Sequence, residues 1–345
     1  MTDILSAIAA GDLLSQTQAE QAMHALMRGE AGPEQIAGLL MGLRARGETI
    51  DELVGFTRVM REYAVRVDSP DPDAIDLCGT GGDRSGTFNI STAAAFVCAG
   101  ADVTVAKHGN RSISSQCGSA DVLTALGVDI ELGKEGVEYC LREAGIAFLF
   151  APYFHPALRH VMPVRRALGV RTFFNILGPL CNPAGVRRQL VGAFSVDVAE
   201  TMATILNRLG AEHVVAVHAD DGLDELSTTG RTTVFQVRGA GRRPPQSERV
   251  SPESFGIDFA TVDALRGGTA QENAGILTRV LDGIRGPHRD VVLLNATYAL
   301  TTSGRFASPE EAMEAARESI DAGTARQALA ALIEASREAP KREAD

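Results

Sequence analysis

The sequence predicts an α/β protein: a small N-terminal α-helical domain, then a larger α/β domain with a mostly parallel central sheet. Three observations carry this expectation. Residues 1–68 show helical periodicity and no strand-like run. A Pro-rich stretch, Ser69-Pro-Asp-Pro-Asp73, then interrupts the chain. Beyond it, short β-branched runs alternate with helical segments, the pattern of a parallel sheet covered on both faces. The expected boundaries are 1–68 for the helical domain, completed by helices around 155–190, 74–336 for the α/β domain, and 337–345 for a charged, frayed tail.

In the helical part, Thr17-Gln-Ala-Glu20 and Thr49-Ile-Asp-Glu52 both fit a capping box, in which a hydroxyl and a Glu three residues on satisfy each other's amides. Ile36, Leu39, Leu40 and Leu43 recur at helical spacing and form one buried stripe. Gly29-Glu-Ala-Gly-Pro33 separates two helices. Past the linker the expected strands are Ile75–Cys78, Asp102–Ala106, Ala147–Phe150, Val214–Val217 and Val291–Leu294. Thr233–Val237 reads as an edge or antiparallel strand. Ser308-Pro-Glu-Glu311 marks a helix start, with Pro at its first position.

The chain of 345 residues is 45% hydrophobic, enough for a sizeable core. A formal net charge of −11 argues against general affinity for a phosphate backbone. Five cysteines, Cys78, Cys98, Cys117, Cys140 and Cys181, lie far apart with no C-x-x-C pair. That spacing argues against a disulfide frame or zinc site and for a reducing compartment. With no basic leader and no apolar run of about 18 residues, the expected protein is soluble and cytoplasmic.

Asp76-Leu-Cys-Gly-Thr-Gly-Gly-Asp-Arg-Ser-Gly-Thr-Phe-Asn-Ile-Ser-Thr92 runs from a strand into a glycine-rich loop and then a helix. It is not a dinucleotide fingerprint, because Arg84 stands where the third glycine belongs. Nor is it a P-loop, because Thr87 replaces the phosphate-binding lysine. Glycines still let the backbone approach a ligand, and Asn89 to Thr92 offer N-cap side chains to an Ala-rich helix whose free amides attract an anion. A tight turn with an ordinary cap is the plain alternative. Asp83 beside a phosphate would need a cation between them.

A second cluster, Lys107-His-Gly-Asn110 followed by Arg111-Ser-Ile-Ser-Ser115 and Cys117-Gly-Ser-Ala-Asp121, falls at the end of the next expected strand. In a parallel sheet it would sit beside the glycine loop as a second anion cradle. Singly, Arg111 reads as a surface charge and His108 as a packed ring. A third, Asp220-Asp-Gly-Leu-Asp-Glu225, sets Asp224 beside Glu225, oxygen ligands suited to Mg²⁺ together with substrate phosphates. Taken alone it is an acidic turn.

Gly79-Thr-Gly-Gly-Asp83, Asn89 to Thr92, Lys107 to Asn110, Gly118 to Asp121, Asn175-Ile-Leu-Gly-Pro-Leu180 with Asn182-Pro-Ala184, and Asp221 to Glu225 together resemble the anthranilate phosphoribosyltransferase family, over nearly the whole chain. The resemblance implies a fold like the nucleoside phosphorylases and phosphoribosyltransferases, and a homodimer formed through the helical part. It implies transfer of the phosphoribosyl group of 5-phosphoribosyl 1-pyrophosphate to anthranilate in tryptophan synthesis. By that similarity the phosphoribosyl pyrophosphate site comprises Gly79, Gly82, Asp83, Thr87, Asn89, Ile90, Ser91, Thr92, Lys107, His108, Gly109, Asn110, Arg111, Ser112, Ile113, Ser114, Ser115 and Ser119. Ser91, Asp224 and Glu225 would hold two Mg²⁺ ions. Gly79, Asn110 and Arg165 would contact anthranilate, with His155 and Pro179 as wall residues. Lys107, Asn110, Arg165 and Glu225 are the expected catalytic set. Cys117 stands where the family pattern suggests serine, and Thr297 where it suggests alanine. A nucleoside phosphorylase of the same fold, or a non-enzymatic nucleic-acid-binding relative, is the alternative.

Overall fold

A computed structural model describes residues 1–82, 85–111, 116–239, 241 and 243–341. Four helices open the chain: α1 (Thr2–Ala9), α2 (Gln16–Met27), α3 (Pro33–Arg46) and α4 (Ile50–Glu62). Then follow β1 (Ile75–Gly79), α5 (Ile90–Gly100), β2 (Val105–Gly109), α6 (Ser119–Ala125), α7 (Lys134–Ala144), β3 (Ile146–Phe150), and the short helices α8 (Ala151–Phe154), α9 (Met162–Leu168) and α10 (Phe174–Leu177). The chain continues as β4 (Arg188–Gly192), α11 (Val196–Arg208), β5 (His213–Ala219), β6 (Thr232–Arg238), β7 (Gln246–Val250), α12 (Ala270–Leu281), α13 (Pro287–Thr302), α14 (Pro309–Asp321) and α15 (Thr324–Glu338).

The sheet has seven strands in the order β3-β2-β1-β4-β5-β6-β7. The first five in that order pair in parallel, while β6 and β7 are antiparallel. Side-chain alternation along a strand sends neighbours to opposite faces. Leu190, Val215 and Val217 accordingly join one apolar core with α5, α7, α13, α14 and α15. Val191, Ala193, Val214 and Ala216 join the other, with the first four helices and α11. That second core also takes in Val161, Phe173, Phe174 and Leu177, so the segment between β3 and β4 packs onto the N-terminal helices. Phe56 of α4 stacks on Phe173 with ring centroids 4.5 Å apart.

Several expectations need correction. Val291–Leu294 lies inside α13, which Pro287 opens and which is buried on almost every side. A short apolar run reads alike for a buried strand and a buried helix. The second strand begins at Val105 rather than Asp102, whose φ of 62° belongs to the preceding turn. The start of α2 is capped by Ser15 with Gln18, not Thr17 with Glu20. Thr233–Val237 falls in antiparallel β6, but β7 forms the edge beyond it. Neither β4 nor β7 was expected. β4 begins with Arg188 and Gln189, and β7 exposes Gln246, Ser247, Glu248 and Arg249, a charged edge that discourages further pairing. Residues 337–341 are held rather than frayed: Arg337 donates to Gly127 O (3.2 Å) and Lys341 pairs with Asp129 (2.6 Å).

The Thr49–Glu52 box forms as expected, and Glu52 does more than cap. Its fully buried carboxylate accepts from the amides of Leu14 and Thr49, both at 2.8 Å, and pairs with Arg46. Removing one partner of such a buried pair leaves the other charge unpaired, which costs about 3–5 kcal/mol. Glu52→Ala should lower the urea midpoint by that amount of stability at unchanged slope; a loss below about 1 kcal/mol would contradict this role.

Candidate active site

Successive crossovers carry the chain from β1 to β2 and β3 on one side, after which β4 returns to the other side of β1. Where strand order reverses, a crevice opens beyond the carboxyl ends of the strands. Here those ends are Gly79 and Gly192, paired in register. Gly192 is required by the main chain above it, whereas Gly79 lies against a carboxylate. A Cβ at Gly79 would lie 2.6 Å from Asp224 Oδ2, and one at Gly192 would lie 1.5 Å from Asp224 O. The loop after β5 therefore rests directly on the two strand ends.

The glycine loop follows. Gly81 and Gly82 have φ of +64° and +74°, a region glycine enters freely and other residues rarely. Gly81 N donates to Asp224 Oδ2 (2.7 Å), and at the head of α5 Ser91 N donates to Glu225 Oε1 (3.2 Å). Lys107, buried at 3% exposure in the middle of β2, donates to Leu77 O and to Ser91 Oγ (3.3 Å). Three segments far apart in sequence thus meet in one contact chain: Gly79–Gly82, Ser91 with Lys107, and Asp224–Glu225.

The remaining expected residues sit around this chain at different removes. Gly109 has no room for a Cβ, which would come 2.4 Å from Ser119 Oγ; that hydroxyl donates to Asn110 O (3.2 Å). Asn110 Oδ1 accepts from Arg111 N (2.7 Å), and Arg111 pairs with Asp121 (2.9 Å). Ile90 and Thr92 are buried, so any part they take in the crevice is through the main chain. Asn89 does not cap α5 with its side chain, as expected; that amide donates to Cys117 O (3.2 Å) and accepts from Asn273 Nδ2 (3.0 Å). Cys117 Sγ also points at Asn89 Oδ1, at 3.4 Å. Thr87 forms a β-bridge with Arg266. Pro179 O accepts from Gln189 Nε2 (2.7 Å). Arg165, on α9, is tied to its own surroundings: its guanidinium lies over the Phe174 ring at 4.9 Å and donates to Met162 Sδ at 3.6 Å. Asp83, Ser112, Ile113, Ser114 and Ser115 lie outside the described residues. Thr297 is buried on α13, its hydroxyl returned to Leu293 O (2.7 Å).

Charge is concentrated beneath the loop. Burial, and then the charge of Asp224, push the Glu225 carboxyl well above the usual carboxylate range, against the pull of Lys107. Burial lowers Lys107, against the charges of Asp76, Cys78 and Glu225. Asp76, fully buried at the root of β1, is raised by burial to about 6; it accepts from His108 N (3.1 Å) and Gln189 Nε2 (3.2 Å). Adjacent Asp224 and Glu225 thus form an acidic pair that a hard cation would relieve, and with Ser91 they offer oxygen donors alone. Among the described residues no cluster of three or more His, Cys, Asp and Glu side chains could hold a metal by itself. Such a cation would complete its shell with substrate phosphates and water, the habit of Mg²⁺.

Residues 71–326 match the model described as "Glycosyl transferase family, a/b domain", and residues 2–64 match "Glycosyl transferase family, helical bundle domain". The anthranilate phosphoribosyltransferase of Salinibacter ruber is 62% identical over 98% of this chain and 99% of its own length. The crystal structure of that enzyme from Thermus thermophilus superposes with a TM-score of 0.91 at 42% identity, covering 97% of this chain and 99% of that one. The enzyme from Saccharomyces cerevisiae, in complex with PRPP and Mg, gives a TM-score of 0.87 at 26% identity, with 98% of each chain covered. The chain belongs to the anthranilate phosphoribosyltransferase family.

Some site residues carried no sequence signal. Arg171 donates to Gly82 O while its guanidinium lies over Phe194 at 4.4 Å, so it clamps the glycine loop from outside. Nothing in its surroundings marks it. Gln189 ties Asp76 to Pro179 O from within β4, the strand that was not foreseen. Gly192 could have been suspected from a glycine ending the apolar Leu190-Val191 pair.

His108 and His155 pack ring to ring behind this family's crevice, centroids 5.2 Å apart, each with a buried Nε2 that has no partner. Burial holds His155 down to about 4 and His108 well below its ordinary value. The unfolded chain would protonate each near pH 6.5, so the folded state is favoured above that pH and loses ground as pH falls toward 4. For His155 alone the loss between pH 7 and 4.5 is roughly 2 kcal/mol. Urea unfolding of His155→Gln should show a shallower acid decline than the parent by that amount; parallel declines would refute it.

Proposed function

We propose that the chain transfers the phosphoribosyl group of 5-phosphoribosyl 1-pyrophosphate to the amino nitrogen of anthranilate. A C1–N bond forms as the C1–O bond to pyrophosphate breaks, with inversion, giving N-(5-phosphoribosyl)anthranilate for tryptophan synthesis. One observation carries the reading: the glycine loop, the head of α5, Lys107 and the Asp224–Glu225 pair converge on one crevice.

The loop amides from Gly79 to Gly82 and the first turn of α5 face the place where negative charge builds as pyrophosphate leaves. Donors fixed in advance toward developing charge are typically worth ~3 kcal/mol each. Lys107, held by Leu77 O and Ser91, adds positive charge at the root of this anion site. Ser91, Asp224 and Glu225 would hold the magnesium, two ions per subunit, which supplies the positive charge that neutralises the diphosphate. Asn110 and Arg165 would orient anthranilate, the guanidinium fork of Arg165 matching a carboxylate. Because the aromatic amine is neutral near pH 7, its attack needs orientation more than a strong base, and its proton leaves after the C1–N bond has formed.

In this reading residues 1–68 with the segment 155–190 form the helical domain, 74–336 the phosphoribosyl-pyrophosphate-binding domain and 337–345 a tail. Subunits pair through the helical part, and the enzyme works in the cytoplasm. In accord with this, no helix among the described residues is long and apolar enough to cross a membrane.

The decay of anthranilate fluorescence on adding phosphoribosyl pyrophosphate tests the reading directly. Activity should disappear with a chelator and return with Mg²⁺. Glu225→Ala and Lys107→Ala should each lower kcat/KM by about two orders of magnitude or more; near-normal turnover in either would remove that residue from the machinery. Gly192→Ala, which must displace the Asp224 main chain, should cost about 10²-fold in kcat/KM with far less effect on the melting temperature. Equal losses of stability and activity would mean that the glycine serves folding alone.

A further inference from the structure

A second cavity of about 500 Å³ lies at the opposite end of the sheet from the crevice, lined by Arg187, Arg188, Glu212, His213, Arg238 and Thr301 among others. Arg188 starts β4 and Gly192 ends it, so the two sites stand roughly 13 Å apart along one strand. The volume is in the range of small-molecule sites, about 300–1,000 Å³.

The lining is cationic in a protein whose net charge is −11. Three guanidiniums face one carboxylate. Glu212 pairs with both Arg187 and Arg188 at 2.9 Å, and Asp73 takes a further bond from Arg188 at 3.0 Å. Arg238 has no carboxylate partner among the described residues; its Nε donates to Gln236 Oε1 (3.2 Å). His213, only 7% exposed, lines the cavity and has its Nε2 buried with no partner. Burial, then the charges of Arg238 and Arg188, depress this imidazole to about 4.

We propose that this cavity binds a small phosphate monoester, independently of the crevice. Arg238 from β6 and Arg187 from the residue before β4 approach from different strands, and His213 from β5 lies between those strands. Donors from several directions suit a tetrahedral phosphate better than a planar carboxylate, which one guanidinium fork can satisfy. Phe306, Ala307 and Pro309 supply an apolar wall for the organic body that a phosphate ion alone would leave empty.

Histidine side-chain ¹H–¹⁵N spectra of the full chain test this, with His213→Gln assigning the reporter signal among seven histidines. Inorganic phosphate and phenyl phosphate should both shift His213, phenyl phosphate at the lower concentration. Arg238→Gln should weaken both by about tenfold, the worth of one charge-assisted pair. Arg187→Gln, checked by melting temperature, serves if Arg238→Gln disturbs the fold. The proposal is overturned if His213 stays unmoved at tens of millimolar phosphate. It is equally overturned if sodium chloride at matched ionic strength moves it as far, or if both arginine variants respond like the parent. Loss of anthranilate turnover has no bearing on any of these outcomes.

Discussion

The main chain at Asp224 lies so close over the end of β4 that this strand cannot finish in a residue with a side chain, and the Asp224 carboxylate lies against the end of β1. That one steric fact fixes much of the site. It brings an acidic pair from the loop after β5 against the glycine loop after β1, and so lets Gly81 N and Ser91 N reach Asp224 and Glu225. A bulkier residue at Gly192 would lift the acidic loop off the strand end, and one at Gly79 would displace the Asp224 carboxylate from Gly81 N. The crevice is thus set by the backbone of a rigid parallel sheet, which places groups more accurately than loops packed only on one another.

The second constraint is charge. Lys107 is buried among Asp76, Glu225 and the carbonyl of Leu77, and none of these charges would tolerate that depth alone. Burial favours the neutral form of Asp76, while Lys107 and the His108 amide favour its carboxylate and Gln189 anchors it to β4. Glu225 carries the unresolved excess, because Asp224 is next to it and Lys107 is shared. The residue most uncomfortable in the protein alone is the one best placed to gain from a divalent cation with a polyphosphate. Tension of this kind marks a functional site when it coincides with a crevice, as it does at this strand reversal.

Much of this was legible in the chain, for identifiable reasons. Long amphipathic helices, the Thr49 and Ser308 caps and the strands at Ile75, Ala147 and Val214 all follow local patterns that tertiary packing did not override. Clustered glycines, hydroxyls and acids pointed to the three segments that the fold brings together. Long-range partners left no such trace. β4 was missed because its polar start, Arg188-Gln189, serves partners on α13 and in the segment before β4 rather than the alternating apolar pattern. Lys107 and His108 read as loop residues because they are polar, yet they sit inside β2, where Leu77 O and Ser91 take the Lys107 ammonium and Asp76 takes the His108 main-chain N–H. α13 was read as a strand because a helix buried all round has no polar face to betray its period.

β4 therefore has more than a structural place: its first residue lines one cationic cavity, its last ends at the crevice beyond β1, and Gln189 between them holds Asp76. A protein with this excess of acidic groups does not gather anions through its overall field. It must create attraction locally, by burying Lys107 beneath the glycine loop and by gathering Arg187, Arg188 and Arg238 at the far end of the sheet.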